Sequence, residues 1–326
     1  MDFSRRLVTW YLAHARDLPW RRTSDPYAIW VSEVMLQQTQ VATVVPYFES
    51  FLARFPNREK LAGADEQAVL AVWQGLGYYR RAKNLHSASK QAAPSTAEGL
   101  AQLPGIGRYT SRAIASMAFG ERVACVDGNV RRVICRFFGR DMTDRECESR
   151  SLDLMANANP GEWNQAVMEL GAMVCLPKSP RCASCPLKTG CIAKSEGSQD
   201  SLPRPRAKCA VDSQRHLCVC PIAGGEAGIR RIPEGEWWAS MWEFPRVKLD
   251  ADESMEDGLL RLGFPNATLM GTHAHVVTKH QIRLSAYRCT SIRTENLRWM
   301  PLDALSALPM PAPQRRVAAL LTESLC

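Results

Sequence analysis

The sequence predicts two folding units: an all-α region over residues 1–194 and an α+β domain over residues 208–326, with a linker at 195–207. Three observations carry this prediction. The chain has 326 residues, more than one core of ordinary size needs. Over roughly the first 175 residues, apolar side chains recur at helical spacing between short loops, without strong strand alternation. Residues 195–205 are then polar, carry Pro203 and Pro205, and show no apolar period.

At the N-terminus, Arg5, Arg6, Arg16 and Asp17 interrupt what would have to be the apolar core of a secretory signal. No stretch reaches the roughly 20 apolar residues of a membrane span, so no membrane partner is expected. An intracellular protein is the expectation, and its 12 cysteines then suit ligand roles better than disulfides. The net charge of +8 favours an anionic partner but does not separate DNA from RNA or a membrane surface.

Helix starts are legible in order. Ser95 with Glu98 and Thr143 with Glu146 have capping-box spacing. Asn159-Pro160-Gly161-Glu162 supplies a cap, a proline for the first helical position and an acid; Trp163, Ala166, Val167 and Leu170 follow on one face. Beyond the linker, residues 217–222 and 282–289 predict strands, and 301–308 and 315–321 short helices. The aromatic-rich run over 237–245 reads mainly as core, although such grouping also marks interfaces.

Four segments carry chemistry. Glu33 sits among apolar residues in Trp30-Val31-Ser32-Glu33-Val34-Met35-Leu36, where burial raises a carboxyl pKa; an exposed acid or an internal ion pair is the alternative. Asp127, in Val126-Asp127-Gly128-Asn129-Val130, precedes a predicted helix with Asn129 as its N-cap. Nearby amides would keep that acid ionised, and a plain capping or turn acid is the alternative. In Leu103-Pro104-Gly105-Ile106-Gly107-Arg108-Tyr109-Thr110, two glycines permit a tight turn ahead of a helix start that can aim amides at a phosphate. Finally, Cys175, Cys182, Cys185 and Cys191 have the spacing C-x6-C-x2-C-x5-C, and four thiolates suit either zinc or an iron–sulfur cluster.

Together these segments resemble the endonuclease III superfamily of helix-hairpin-helix DNA glycosylases, and within it the MutY adenine DNA glycosylases. The resemblance implies a helix-hairpin-helix glycosylase region with an iron–sulfur loop, holding one [4Fe–4S] cluster on the four cysteines, followed by a nudix-like domain. It implies that Glu33 protonates adenine, that Asp127 stabilises the sugar cation, and that Tyr109 and Asn129 orient the sugar and Asp127. Tyr109 stands where a glycosylase-lyase of this superfamily carries lysine, so a monofunctional enzyme is implied. Arg16, Leu18, Trp20, Arg21 and Glu169 map onto the adenine pocket. Gln38 and Tyr78 map onto residues that meet the duplex, and Gly105 and Gly107 onto the DNA-binding hairpin; Arg80 and Arg81 read as phosphate contacts, with plain solvent exposure as the alternative.

In the second domain, residues 232–245 resemble a nudix-like segment without the acidic set that gathers metal for hydrolysis. Val277, Thr278 and Lys279 map onto the lesion-reading loop, where the family has phenylalanine, serine and histidine; His280 offers an alternative register. The implied partner is double-stranded DNA containing A·8-oxoguanine or A·G, bound by a monomer that is intracellular and DNA-associated, in cytoplasm or nucleoid if bacterial. A thymine-directed or other mismatch glycosylase and an inactive DNA-binding scaffold are the alternatives.

Overall fold

The computed structural model describes residues 3–204 and 211–325. Residues 205–207 of the predicted linker lie outside them. The chain divides into two compact units: Met1–Ala64 with Lys83–Arg206, and Asp65–Ala82 with Ala207–Cys326. The helices in chain order are α1 (Phe3–His14), α2 (Pro26–Leu36), α3 (Val41–Arg54), α4 (Arg58–Ala62), α5 (Glu66–Val72) and α6 (Arg80–Ser89). They continue as α7 (Ala97–Leu100), α8 (Arg108–Phe119), α9 (Gly128–Phe137), α10 (Asp144–Met155), α11 (Pro160–Met173) and α12 (Ile192–Glu196). No described helix is long and apolar enough to cross a membrane.

The first unit is helical because its helices each offer one apolar stripe to a shared interior. Trp163, Ala166, Val167 and Leu170 of α11 bury as predicted, against Leu7 of α1 and Val130, Val133 and Ile134 of α9. Asn159 caps α11 through the Glu162 amide, with Pro160 in the first turn, and Thr143 and Glu146 form a full capping box on α10. Two predicted caps move. Thr96, not Ser95, caps α7 by accepting from the Gly99 amide at 3.2 Å. Asp127, not Asn129, caps α9, because it is Asp127 whose backbone is extended and whose carboxylate reaches the Val130 amide.

The iron–sulfur loop expected in this fold, with its [4Fe–4S] cofactor on Cys175, Cys182, Cys185 and Cys191, is corrected by the structure. The four cysteines line one pocket with Arg136, Pro180, Lys188 and Lys194. Lining a pocket is a looser condition than ligand geometry, and no group of three or more His, Cys, Asp or Glu among the described residues is placed to hold a metal ion. Protein groups engage the sulfurs instead. Arg136 Nη1 donates to Cys175 Sγ at 3.4 Å, and Cys191 Sγ donates to the Arg136 carbonyl at 3.4 Å. Burial pushes the Cys185 thiol up to about 11 and raises that of Cys191, which favours thiol over thiolate.

The second unit holds a sheet of β1 (Asp212–Ala223), β2 (Glu226–Arg231), β3 (Trp242–Glu243), β4 (Arg246–Lys248), β5 (Thr268–Val277), β6 (His280–Thr290) and β7 (Arg298–Pro301). Its order is β3-β2-β1-β6-β5, with β4 on β1 and β7 on β2. The central pair β1–β6 is parallel, in register at Cys218↔Ala286. This α+β unit also holds α5 and the helices α13 (Met255–Arg261) and α14 (Ala312–Glu323), and Val317 and Leu321 of α14 join Cys218, Ile229, Phe244 and Leu284 in its core. Residues 301–308 give a strand end and a 3-10 turn, Asp303–Ala307, in place of the predicted helix. Trp242 and Phe244 bury, whereas Trp237 and Trp238 stay half-buried against His216, His275 and His280.

That histidine cluster makes the second unit acid-sensitive. Burial, then the Arg246 charge, holds His216 down to about 4; burial, then His273 and Arg246, does the same to His275. Both values lie below the ordinary 6.5, so the unfolded chain binds protons first as the pH falls. Stability is lost between about pH 6.5 and 4, by a few kcal/mol for the pair. Urea melts read through the tryptophans at pH 7 and pH 4.5 check this, and a midpoint independent of pH refutes it.

Candidate active site

Helix α2 begins at Asp25, whose side chain accepts from the Tyr27 amide at 3.0 Å, and Pro26 takes the first turn. Every residue from Tyr27 to Met35 is buried, so Glu33 has no solvent-facing side to occupy and is only 6% exposed. Burial pushes its carboxyl up to about 7; the Asp127 charge adds to the shift and Arg21 opposes it. Glu33 can therefore hold or release a proton near neutral pH.

Asp127 meets it from the start of α9. One oxygen accepts the Val130 amide at 2.7 Å and the other accepts Asn129 Nδ2 at 3.1 Å. Burial pushes this carboxyl up, while these donors and the more distant Arg132 charge counter the rise by favouring the carboxylate. Tyr109, in the first turn of α8, donates its hydroxyl to Met168 Sδ at 3.3 Å. Burial raises that phenol well above its ordinary value, and the charges of Glu33 and Asp127 raise it further, so all three groups share one site.

Two residues that the sequence reading missed set Asn129 in place. Arg132 Nη2 donates to Asn129 Oδ1 at 2.8 Å and to the Gly171 carbonyl at 2.7 Å, and Arg132 Nε donates to the Cys175 carbonyl at 2.7 Å. With its oxygen held, Asn129 presents its NH2 to Asp127. Gly171 of α11 also packs against it, and an added Cβ there would come within 2.6 Å of Asn129 Cβ. The i, i+3 spacing of Asn129 and Arg132 on one helix was a usable signal for the first. Nothing in the sequence pairs Gly171 with Asn129.

A second cluster adjoins. Glu169 is 1% exposed and receives Arg16 Nε and Nη2 at 2.9 and 2.7 Å, the Arg16 amide at 2.9 Å, and Arg21 Nη1 and Nη2 at 3.1 and 3.0 Å. Burial alone would raise the Glu169 carboxyl, but these charge-assisted bonds outweigh it and hold the group at about 2. Arg21 thus spans both clusters, bonding Glu169 while its charge acts on Glu33. Leu18 and Trp20 are buried, and Trp20 packs edge-on against Phe48 with ring centroids 5.4 Å apart. Their seating is that of core.

Residues 31–156 match the HhH-GPD superfamily of base excision DNA repair proteins, and residues 218–320 match the NUDIX domain. The chain is 34% identical over 260 residues to the "Adenine DNA glycosylase" of Buchnera aphidicola subsp. Acyrthosiphon pisum, covering 76% of this chain and 74% of that relative. The chain belongs to the adenine DNA glycosylase family. It is also 41% identical over 250 residues to the Homo sapiens "Adenine DNA glycosylase", covering 67% of this chain and 46% of that protein, so it spans about half the length of the human relative. In structure it is similar to a thermostable thymine-DNA glycosylase, with TM-score 0.56 and 26% identity, covering 60% of this chain and 95% of that one.

Three of the residues that the adenine DNA glycosylase family resemblance assigns to DNA or to the lesion have a left-handed backbone, as do Ala156, Ser179, Trp238 and Ser240. Gln38, Tyr78 and Thr278 have φ of 58°, 49° and 53° without being glycine, and all three are exposed, Tyr78 by 48%. Such strain concentrates where a structure holds side chains ready for a partner. Gly105 needs its φ of 77°, since a Cβ there would meet Asn84 at 2.6 Å; Gly107 caps α8 and faces open space. Arg80 is exposed, but Arg81 turns inward and donates to the Gly77 carbonyl at 3.1 Å. Its predicted phosphate contact is corrected to a structural one.

Val277 and His280 close a hairpin whose two-residue turn is Thr278-Lys279, with Lys279 exposed. The Thr278 hydroxyl donates to the Val277 carbonyl at 2.7 Å. His280, the alternative register for an imidazole reader, hydrogen-bonds Asp212 at 2.8 Å and packs on Trp237.

Proposed function

We propose that the protein is a monofunctional DNA glycosylase that hydrolyses the N-glycosidic bond of adenine mispaired with 8-oxoguanine or guanine in duplex DNA, within base excision repair. The observation that carries this is the pairing of Glu33, raised to about 7, with Asp127, whose oxygens meet amide donors that favour its charge. Two neighbouring carboxyl groups, one able to hold a proton near neutral pH and one whose donors favour its charged form, divide the work as in glycoside hydrolysis. The base must first leave the stack. Glu33 then gives its proton to the purine, chiefly at N7, so that the bonding pair leaves C1′ with the base. Asp127 offsets positive charge on the sugar until water adds there. Tyr109 supplies no amine for a Schiff base, so strand cleavage does not accompany excision.

The arginine-clamped Glu169 supports the adenine-pocket assignment with Arg16, Leu18, Trp20 and Arg21. Residues 1–194 are proposed as the glycosylase region and 208–326 as the lesion reader. Single-turnover excision on A·8-oxoguanine, A·G and T·G duplexes, with and without alkali, tests the whole reading. Adenine release without strand nicking is expected. Release of thymine alone would favour the second reading, suggested by the likeness to the thymine-DNA glycosylase; binding without release would leave only a scaffold.

Thr278 is the proposed lesion handle. With its proton given to the Val277 carbonyl, its oxygen is left as an acceptor. The N7 of 8-oxoguanine carries a hydrogen, whereas guanine N7 is itself an acceptor, so this oxygen favours the lesion. Thr278→Ala should lower the A·8-oxoguanine over A·G ratio of single-turnover kcat/KM by roughly tenfold, the worth of one hydrogen bond. An unchanged ratio in folded protein removes Thr278 from the reader.

A further inference from the structure

Between α8 and α9 the chain runs over 121–127 without helix or strand. Buried backbone groups in such a run need partners from elsewhere. Ala124 and Cys125 are buried, and Asn164 of α11, 0% exposed, meets this run with both ends of its carboxamide. Asn164 Oδ1 accepts the Cys125 amide at 3.0 Å, and Nδ2 donates to the Val123 carbonyl at 2.9 Å. These are the two bonds that one residue of a parallel neighbouring strand would make. Arg112 Nη1 of α8 donates to the Ala124 carbonyl between them at 3.3 Å. Three successive residues are thus held, and Asp127 caps α9 two positions beyond.

The bonds of the Asp127 carboxylate go to Val130 and Asn129, both on α9, so they orient it within that helix and travel with it. Where the carboxylate stands against Glu33 and Tyr109 depends on the run that leads into the cap. Asn164 shares one face of α11 with Met168 and Gly171, at i, i+4 and i+7. Met168 Sδ accepts the Tyr109 hydroxyl at 3.3 Å, and Gly171 packs against Asn129. One face of one helix therefore registers Tyr109, Asn129 and the approach to Asp127.

We propose that Asn164 is a positioning residue for Asp127: its carboxamide stands in for a strand neighbour to residues 123–125 and so sets the Asp127 carboxylate in its place against Glu33 and Tyr109. It acts through the backbone of that run. The proposal rests on the glycosylase reading, in which the carboxylate must face the sugar as charge develops there. Leucine has the heavy-atom count and branching of asparagine but can neither donate nor accept, so it fills the place without holding the run. A protonated carboxyl can accept from the Cys125 amide and donate to the Val123 carbonyl as the carboxamide does, whereas an ionised one has no proton to donate.

The test measures single-turnover excision and affinity for the full chain on a duplex containing A·8-oxoguanine, with circular dichroism and urea melts to give the folded fraction. Asn164→Leu is expected to bind the duplex as wild type does and to excise about 10²-fold more slowly than wild type at every pH, the cost of misplacing a reacting group by about 1 Å. Asn164→Asp should excise near the wild-type rate at pH 5.5 and fall towards the Asn164→Leu rate as the pH rises. Burial keeps the introduced carboxyl protonated at the lower pH, and the nearby Arg112 is already paired with Glu148 at 2.6 Å. A wild-type rate in folded Asn164→Leu would overturn the proposal. So would Asn164→Asp no faster than Asn164→Leu at pH 5.5, or rates in both variants that only follow the folded fraction. No excision by wild type would instead count against the glycosylase reading.

Discussion

Glu33→Gln is expected to remove most base excision while leaving duplex binding and the fold in place. The side chain keeps its shape and loses its proton-donating acid, and general acids of this kind contribute roughly 10²–10⁴-fold. Because burial pushes the native carboxyl up to about 7, wild-type excision should fall as the pH rises through 7. The residual rate of the variant should be flat over that window. Stability also falls as the pH rises. A carboxyl whose folded value lies above the ordinary 4.5 is bound to its proton more tightly in the native state, so native stability declines between about pH 4.5 and 7. Glutamine relieves that penalty, which amounts to about 3 kcal/mol above pH 7 as an upper value. The variant should therefore resist urea better than wild type at pH 8. Single-turnover rates and urea midpoints measured across pH 5–9 check both. Near-normal excision by the variant would remove Glu33 as the acid.

Much of the site was legible because its chemistry lies in contiguous motifs. Glu33 is an acid in an otherwise apolar helix, and burial follows from the sequence around it. The Glu169 pocket was reached only through family resemblance, since Arg16 and Glu169 are 153 positions apart and no local pattern joins them. The misreadings have physical causes. Either of two adjacent residues able to cap, Ser95 or Thr96, could start α7, and backbone geometry chose the second. Asn129 looked like a cap because asparagine favours that place, but Asp127 reached the open amide and left Asn129 free to serve Asp127 itself. Arg81 read as a phosphate ligand from its charge, although a guanidinium equally satisfies carbonyls exposed by the turn at Gly77. The cysteine spacing described which sulfurs meet, but not whether they meet as ligands.

Gly171→Ala should both destabilise the protein and slow excision, against what helix propensity alone would give. Within α11 alanine is favoured over glycine by roughly 0.5–1 kcal/mol. The added methyl, however, would lie 2.6 Å from Asn129 Cβ and 3.1 Å from its Cα and carbonyl carbon, so backbone as well as side chain must yield. Overpacking of this kind costs about 1–3 kcal/mol, which reverses the sign. The yielding residue is the one that donates to Asp127, and Arg132 fixes its oxygen, so Asn129 cannot move without straining or losing one of these bonds. Asp127 then keeps its charge less readily. Its carboxyl rises further, and the acidic limb of the excision profile shifts to higher pH. A loss of about 10²-fold in the single-turnover rate at neutral pH is expected, with duplex affinity close to wild type. The pH shift separates loss of the Asp127 donor from a general loosening, which would lower the rate at every pH alike. A higher melting temperature together with an unchanged profile would show that α9 absorbs the methyl elsewhere, and that Gly171 does not seat Asn129.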